Sequence, residues 1–504
     1  MTDPLLYEIN TRCWLRELSE EKGRKLTLAD IPESEFENWQ RFAFTHIWLM
    51  GVWTTGPHAR AQALASPELR RVFDQVLPGW AEDDVDGSPY AIADYHVSPA
   101  LGGDEGLLVF RQKLNKRGLK LILDFVPNHV GIDHPWLAER PELFVQSTTN
   151  RPGTFQSDAR SEIRNPKSTG PWIAYGKDPY WPGWTDTAQL DYRLPATREQ
   201  MIGLLLSIGD RCDGVRCDMA MLVLNDVFTN TWKDFPGPPP PKEEFWANSI
   251  SAVKKSYPDF LFLAEAYWGL ESRLQSLGFD YTYDKTLYDR LVGRDAVGIL
   301  QHLLGLPPQA LAAGAHFLEN HDEPRIASLL SAVEHPAAAL LILTLPGMRF
   351  LHEGQLLGEK VRVPVQLIRR PPTPRPALAA PYEQLLTILA GTSVGRGKPT
   401  LLRPRPAWSD NPTAQNIILI QWQSKAQEFD LAVINLAAHQ SQCYAPLNVS
   451  GSGEHDWTME DLLGTEQYRR PGTELQRKGL YLDLVPHAAQ LFQFRSSSPV
   501  GVKL

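Results

Sequence analysis

The sequence predicts an α/β chain: a (β/α)8 barrel with a subdomain inserted after its third strand and an all-β sandwich domain at the C-terminal end. Three observations predict it. Short apolar, β-rich runs alternate with helical stretches, as parallel strands alternate with crossover helices. Eight such runs occur, at 5–10, 45–50, 121–126, 214–219, 261–266, 279–284, 315–320 and 347–353. From about residue 391 the pattern turns to strands without helices between them, as at 416–421 and 431–436.

Taken in order, the first three runs lead to a long interruption. Nearly ninety residues separate the third run from the fourth, far more than one crossover helix and a loop of about 4–6 residues require. Residues 130–190, rich in Pro, Gly, Asp and Trp, therefore read as an irregular subdomain over the barrel mouth. The barrel itself is expected over 1–129 and 191–390, and the sandwich over 391–504. After the fourth run comes Asp234-Phe-Pro-Gly-Pro-Pro-Pro-Pro241, a stiff polyproline spacer on the face where barrel enzymes keep their chemistry.

Composition narrows the function. The 504 residues are 43% hydrophobic and 22% charged, as in ordinary globular chains. Fifty basic residues against 59 acidic ones leave a net charge of −9, with no basic block to meet a nucleic acid or an acidic membrane. Four cysteines, none in a Cys-x-x-Cys pair, make no disulfide framework and suit a reducing compartment. The first residues lack a basic stretch followed by an apolar one, and no 18 apolar residues run together, so a cytoplasmic protein is expected. Fifteen tryptophans supply flat faces for packing or ligand stacking.

Carboxylates gather where a barrel keeps its active site. Asp124 ends the third run, Asp218 the fourth and Glu265 the fifth, and Asp322 follows the seventh. Charged side chains are seldom buried unless paired, so their convergence on one mouth points to chemistry that uses the charge.

The residues around them carry a resemblance. Asp124-Phe-Val-Pro-Asn128-His129, Asp213-Gly-Val-Arg216-Cys217-Asp218, Leu263-Ala-Glu265 and Glu319-Asn-His321-Asp322 are similar, in order and spacing, to the four sequence regions of glycoside hydrolase family 13, the α-amylase family. Gly87-Ser-Pro-Tyr90, Gln189-Leu-Asp191 and the stretch from Pro346 to Gln355 extend the likeness. It implies a retaining α-glycosidase, in which two carboxyl groups about 5–5.5 Å apart share the work. Asp218 would be the nucleophile and Glu265 the general acid/base. Asp322 would bind sugar hydroxyls and favour the oxocarbenium-like transition state, with His321 and His129 bonding in the same subsite and Tyr90 stacking under the ring. Arg216, two positions before Asp218, points to the same side of a strand and keeps the nucleophile ionised. Asp124 organises the mouth, and Cys217 faces the surrounding helices.

The chain also departs from the family pattern. Typical α-amylases place Lys-His shortly after the nucleophile, whereas this chain has Met219-Ala-Met221-Leu222, which makes the acceptor side apolar. Gly87 stands where α-glucosidase-like members carry an Asp, with Asp86 one place away. Gln189-Leu-Asp191-Tyr-Arg193 keeps two letters of an oligo-1,6-glucosidase signature, and Tyr267, Trp268 and Trp184 are candidates to line acceptor subsites. The expected substrate is a short α-glucan, an oligosaccharide or a small glucoside. The alternative is a transglycosylase, of glucanotransferase or sugar isomerase type, using the same covalent intermediate; a third reading is a catalytically silent binding member. No cofactor or catalytic metal is expected. Asn128 matches a position that ligates structural calcium in some relatives, although the insert has no EF-hand loop. Partners reduce to the carbohydrate, with no nucleic acid and no membrane, and oligomeric state stays open.

Overall fold

The computed structural model describes residues 2–157, 170–372 and 378–497. Residues 158–169 of the expected insert lie outside that range. Eight parallel strands close a barrel: β1 (Leu5–Asn10), β2 (His46–Met50), β3 (Lys120–Phe125), β4 (Gly214–Cys217), β5 (Leu261–Ala264), β6 (Tyr281–Tyr283), β7 (Gly314–Phe317) and β8 (Met348–His352). Each pairs with its sequence neighbours, and β8 returns to β1 through Leu5–Arg349 to Glu8–His352. Each of the eight strands overlaps one of the predicted runs.

Alternation along each strand sorts the side chains. Leu6, Trp48, Met50, Ile122, Leu261, Leu263, Tyr283, Ala315, Phe317, Met348 and Phe350 form the barrel's inner core. Their neighbours Ile47, Leu49, Leu121, Leu123, Phe125, Val215 and Cys217 belong to the outer layer, packed on helical residues such as Leu205, Ile208 and Trp246. Continuing the inward set by two residues reaches Asp124 after Ile122, Arg216 and Asp218 after Gly214, and Glu265 after Leu263. The same parity that fills the barrel with apolar side chains therefore lifts the carboxylates to its mouth.

Between β3 and β4 the chain forms short antiparallel pairings: His129–Gly131 with Thr187–Gln189, and Trp172–Ala174 between Gln146–Ser147 and Thr154–Gln156. The C-terminal region holds a six-stranded and a three-stranded sheet. In strand Ile417–Lys425 the even residues Ile418, Ile420 and Trp422 join the barrel's outer core, while Ile417 and Leu419 fill the space between the two sheets. Helix Glu334–Thr344 is buried nearly all round because it lies between barrel and sheet, and Trp422 Nε1 donates to its Thr344 carbonyl at 2.7 Å. No helix among the described residues is long and apolar enough to cross a membrane.

Candidate active site

Arg216 is the hub. Its guanidinium, fully buried at the end of β4, donates from Nη1 to Asp218 Oδ1 at 2.8 Å and from Nη2 to Glu265 Oε2 at 2.5 Å. Asp124 Oδ1 lies 3.7 Å from Nη1, and the rings of Trp48, Tyr90 and Tyr283 stand 5.3, 5.3 and 5.9 Å from the guanidinium carbon. One cation thus serves three carboxylates inside an aromatic collar, where low dielectric strengthens each pairing.

Local backbone completes the arrangement. Immediately after Asp218, Met219 turns left-handed, with φ +40°, and its N–H donates to Glu265 Oε2 at 2.7 Å. Tyr267 O–H reaches Glu265 Oε1, also at 2.7 Å. Asp124 Oδ2 accepts the Gly51 N–H at 2.9 Å, and its carbonyl accepts Trp53 Nε1 at 2.7 Å, so Asp124 ties β3 to the turn after β2.

Asp322 sits on the opposite side, its side chain 49% exposed, with His321 Nε2 3.1 Å from Oδ2. His321 also meets Tyr90 O–H at 2.7 Å, and the two rings stack 5.5 Å apart at 23°. His129 is buried against Trp184, ring centroids 5.1 Å apart, and its ring bonds to the main chain of Tyr90. The structure therefore gathers Asp218 and Glu265 on Arg216 and pairs Asp322 with His321, with the Tyr90 ring contacting both Arg216 and His321 and His129 bonded to the Tyr90 main chain.

Charge states follow from this packing. Burial pushes Glu265 above the usual carboxylate range, with Arg216 opposing and the charges of Asp218 and Asp322 adding to the rise. Burial also raises Asp218, again against Arg216. Asp124 is pushed up to about 6 by burial, against Arg216 and the Gly51 amide. Burial opposes ionisation of Asp322, but His321 outweighs it and holds Asp322 low. Burial lowers His129 to about 4, so it is neutral at physiological pH.

Several residues act here that sequence reasoning did not single out. Glu8, fully buried on β1, approaches His321 Nδ1 at 2.5 Å, and Trp48 packs edge-on against the same imidazole. A charged residue at an inward strand position was the available signal. The family-like stretch at 189–193 proves to be scaffold: Gln189 Nε2 donates to Asn128 O and Oδ1 at 2.8 and 2.9 Å, and Arg193, paired with Asp191 at 2.7 Å, holds the carbonyls of Phe235 and Pro236 at 3.0 and 3.1 Å. The polyproline loop is thereby tethered to the segment that follows the insert, and Arg151 of the insert donates to the Asp234 carbonyl. Asp86 turns to Arg12 at 3.2 Å, and a Cβ on Gly87 would meet the Ala59 Cβ at 2.5 Å. Trp268, 42% exposed with φ +66°, meets the Tyr180 ring edge-on at 5.1 Å. At the position that ligates structural calcium in some relatives, both Asn128 oxygens accept the Gln189 amide.

Comparison with known proteins agrees with this geometry. Residues 40–287 match the model of the alpha-amylase catalytic domain. Alpha-amylase 3 of Dictyoglomus thermophilum is 26% identical over 310 residues, covering 56% of this chain and 56% of that protein. Maltase 1 of Drosophila virilis is 24% identical over 330 residues, covering 53% and 49%. The chain thus spans about half the length of the curated relatives it matches. A maltogenic alpha-amylase from Thermotoga neapolitana superposes with a TM-score of 0.65 over 98% of both chains at 19% identity, a likeness of fold. With the barrel closed, the carboxylates gathered at its mouth and the catalytic-domain model matched across β2 to β6, the chain belongs to the α-amylase family of glycoside hydrolases.

Proposed function

We propose that the protein is a retaining α-glycosidase acting on short α-glucans, oligosaccharides or small α-glucosides. One observation carries the reading: a single buried guanidinium bridges Asp218 and Glu265, which keeps the two carboxyl groups close enough for double displacement. Arg216 occupies Asp218 Oδ1 and leaves Oδ2 to attack the anomeric carbon. As the C1–oxygen bond breaks, Glu265 gives its proton to the departing oxygen. Oε2 already accepts two N–H groups, so that proton rides on Oε1. Water then attacks C1, returns a proton to Glu265 and releases Asp218. Asp322 and His321 bind the sugar hydroxyls while the ring flattens, and Tyr90 stacks beneath it.

The short substrate is supported by the acceptor flank. Met219 packs at the edge of the core, Met221 and Leu222 are buried, and Tyr267 covers Glu265, so residues 219–222 give this flank no charged side chain to grip further sugars. The same apolar flank hinders water and supports the second reading, transfer of the glycosyl group to another hydroxyl. Proton NMR of fresh product from α-linked disaccharides, maltooligosaccharides and glucosylated polyols tests both. Retention predicts the α-anomer first; the β-anomer first overturns the mechanism. Transfer products exceeding free sugar at modest acceptor concentration would assign the enzyme to the transglycosylases.

A further inference from the structure

Among the buried charges that the mechanism above leaves unused is Glu8, which is bonded to His321. It occupies an inward position on β1 at 0% exposure, where an unpaired carboxylate is strongly disfavoured. Its partners are two imidazoles. Oε1 lies 2.5 Å from His321 Nδ1, whereas Oε2 approaches His352 Nδ1 at 2.9 Å at an angle outside hydrogen-bond geometry. The tight partner is therefore His321.

The surroundings decide which ring carries the extra proton. His321 faces Glu8 from β1, Trp48 from β2, Tyr90 from the loop after β2 and its own neighbour Asp322; Asp124, Arg216 and Asp218 stand across the mouth. Two carboxylates within 3.1 Å, one on each ring nitrogen, favour the imidazolium. His352 and His321 share a recess lined by Arg325, Arg362 and Arg370, but only His321 has a second carboxylate, Asp322, on its other ring nitrogen; burial lowers His352 to about 4, leaving it neutral. The distinction matters at Nε2. A neutral ring with its hydrogen on Nδ1 would turn a lone pair toward Asp322, repel it and accept the Tyr90 hydroxyl instead.

We propose that Glu8 is a positioning residue that keeps His321 doubly protonated at working pH, so that Nε2 presents an N–H, shared between the Tyr90 oxygen and Asp322, rather than a lone pair. The role in turnover rests on the glycosidase reading; the protonation itself does not. Glu8→Gln keeps the size and an acceptor oxygen while removing the charge. In histidine-labelled protein, with the His321 signal assigned by its absence in His321→Asn, nitrogen NMR should show wild-type His321 still protonated well above the pH at which a free imidazole loses its proton. In Glu8→Gln the ring should titrate near neutrality. Its kcat/KM on a short α-glucoside should fall tenfold or more above neutrality and return toward wild type at about pH 5. His352→Asn, which spares the Glu8–His321 pair, should leave the His321 titration unmoved. If Glu8→Gln does not fold, Glu8→Asp should displace the His321 titration downward by a smaller amount. An unchanged His321 titration, or a loss of kcat/KM independent of pH, overturns the proposal. Because the titration needs no turnover, absence of glycosidase activity would leave this half standing.

Discussion

The barrel mouth and the C-terminal sandwich are equally dry and hold opposite kinds of side chain. At the mouth Glu8, Asp124, Arg216 and Glu265 are 0, 1, 0 and 3% exposed, and in the sandwich Ile417, Ile418, Leu419 and Ile420 are each 0% exposed. A strand buried on both faces favours a continuous apolar run, which Ile417–Lys425 supplies in its first half. The barrel strands obey the same rule until their last inward position, where the apolar run gives way to charge. Burying those carboxylates costs stability, which the glycosidase chemistry proposed for the mouth would repay. Substitutions in the two regions should accordingly separate activity from stability.

The largest expected effect is Asp218→Asn, with kcat/KM reduced by about 10⁴-fold or more and a melting temperature no lower than wild type. Kinetics and calorimetry on one preparation check it, and retained activity would break the contrast at its centre. Glu265→Gln should cost about 10²–10⁴-fold in rate, and the residual activity should lose the fall at high pH that belongs to the acid. The sign in stability is set by the raised carboxyl: it lends stability while protonated and loses it as pH rises through the folded value. Thermal melts should therefore show Glu265→Gln gaining on wild type toward alkaline pH. In the sandwich, Trp422→Ala removes a ring that is 1% exposed and should cost about 3–5 kcal/mol by denaturant unfolding, with kcat unchanged well below the transition. Smallest is Cys217→Ala, between Arg216 and Asp218 but facing the helices, with about 1 kcal/mol of stability lost and turnover unaffected.

The barrel was legible because its strands are apolar runs separated by helices. The carboxylates were legible because charge at the inward end of such a run is costly to bury and so marks a place that uses it. The strands themselves stop earlier than their apolar runs. β4 ends at Cys217 and β5 at Ala264, since the chain leaves the ladder where Met219 turns left-handed and Glu265 begins a loop. Asp218 and Glu265 thus stand just past the last paired residue of their strands. Glu8 was hidden for the opposite reason. A lone charged residue in Leu-Leu-Tyr-Glu-Ile-Asn looks like the wet side of an amphipathic strand, and only barrel closure turns that side inward to His321 and His352. The link from Tyr267 to Glu265 and the tie from Arg193 to the polyproline loop depend on folded loops, which local pattern does not encode.

The helix Glu334–Thr344 shared between the barrel and the sandwich sheet has a practical meaning for anyone dividing this chain. Cutting before the C-terminal strands would uncover Ala338, Leu341, Ile342 and their neighbours on a face that has evolved no polar cover. Such a fragment would carry every group named in the chemistry and still be sticky. A fragment meant to stay in solution should therefore keep the sandwich, and a swap of that domain should carry the helix with it.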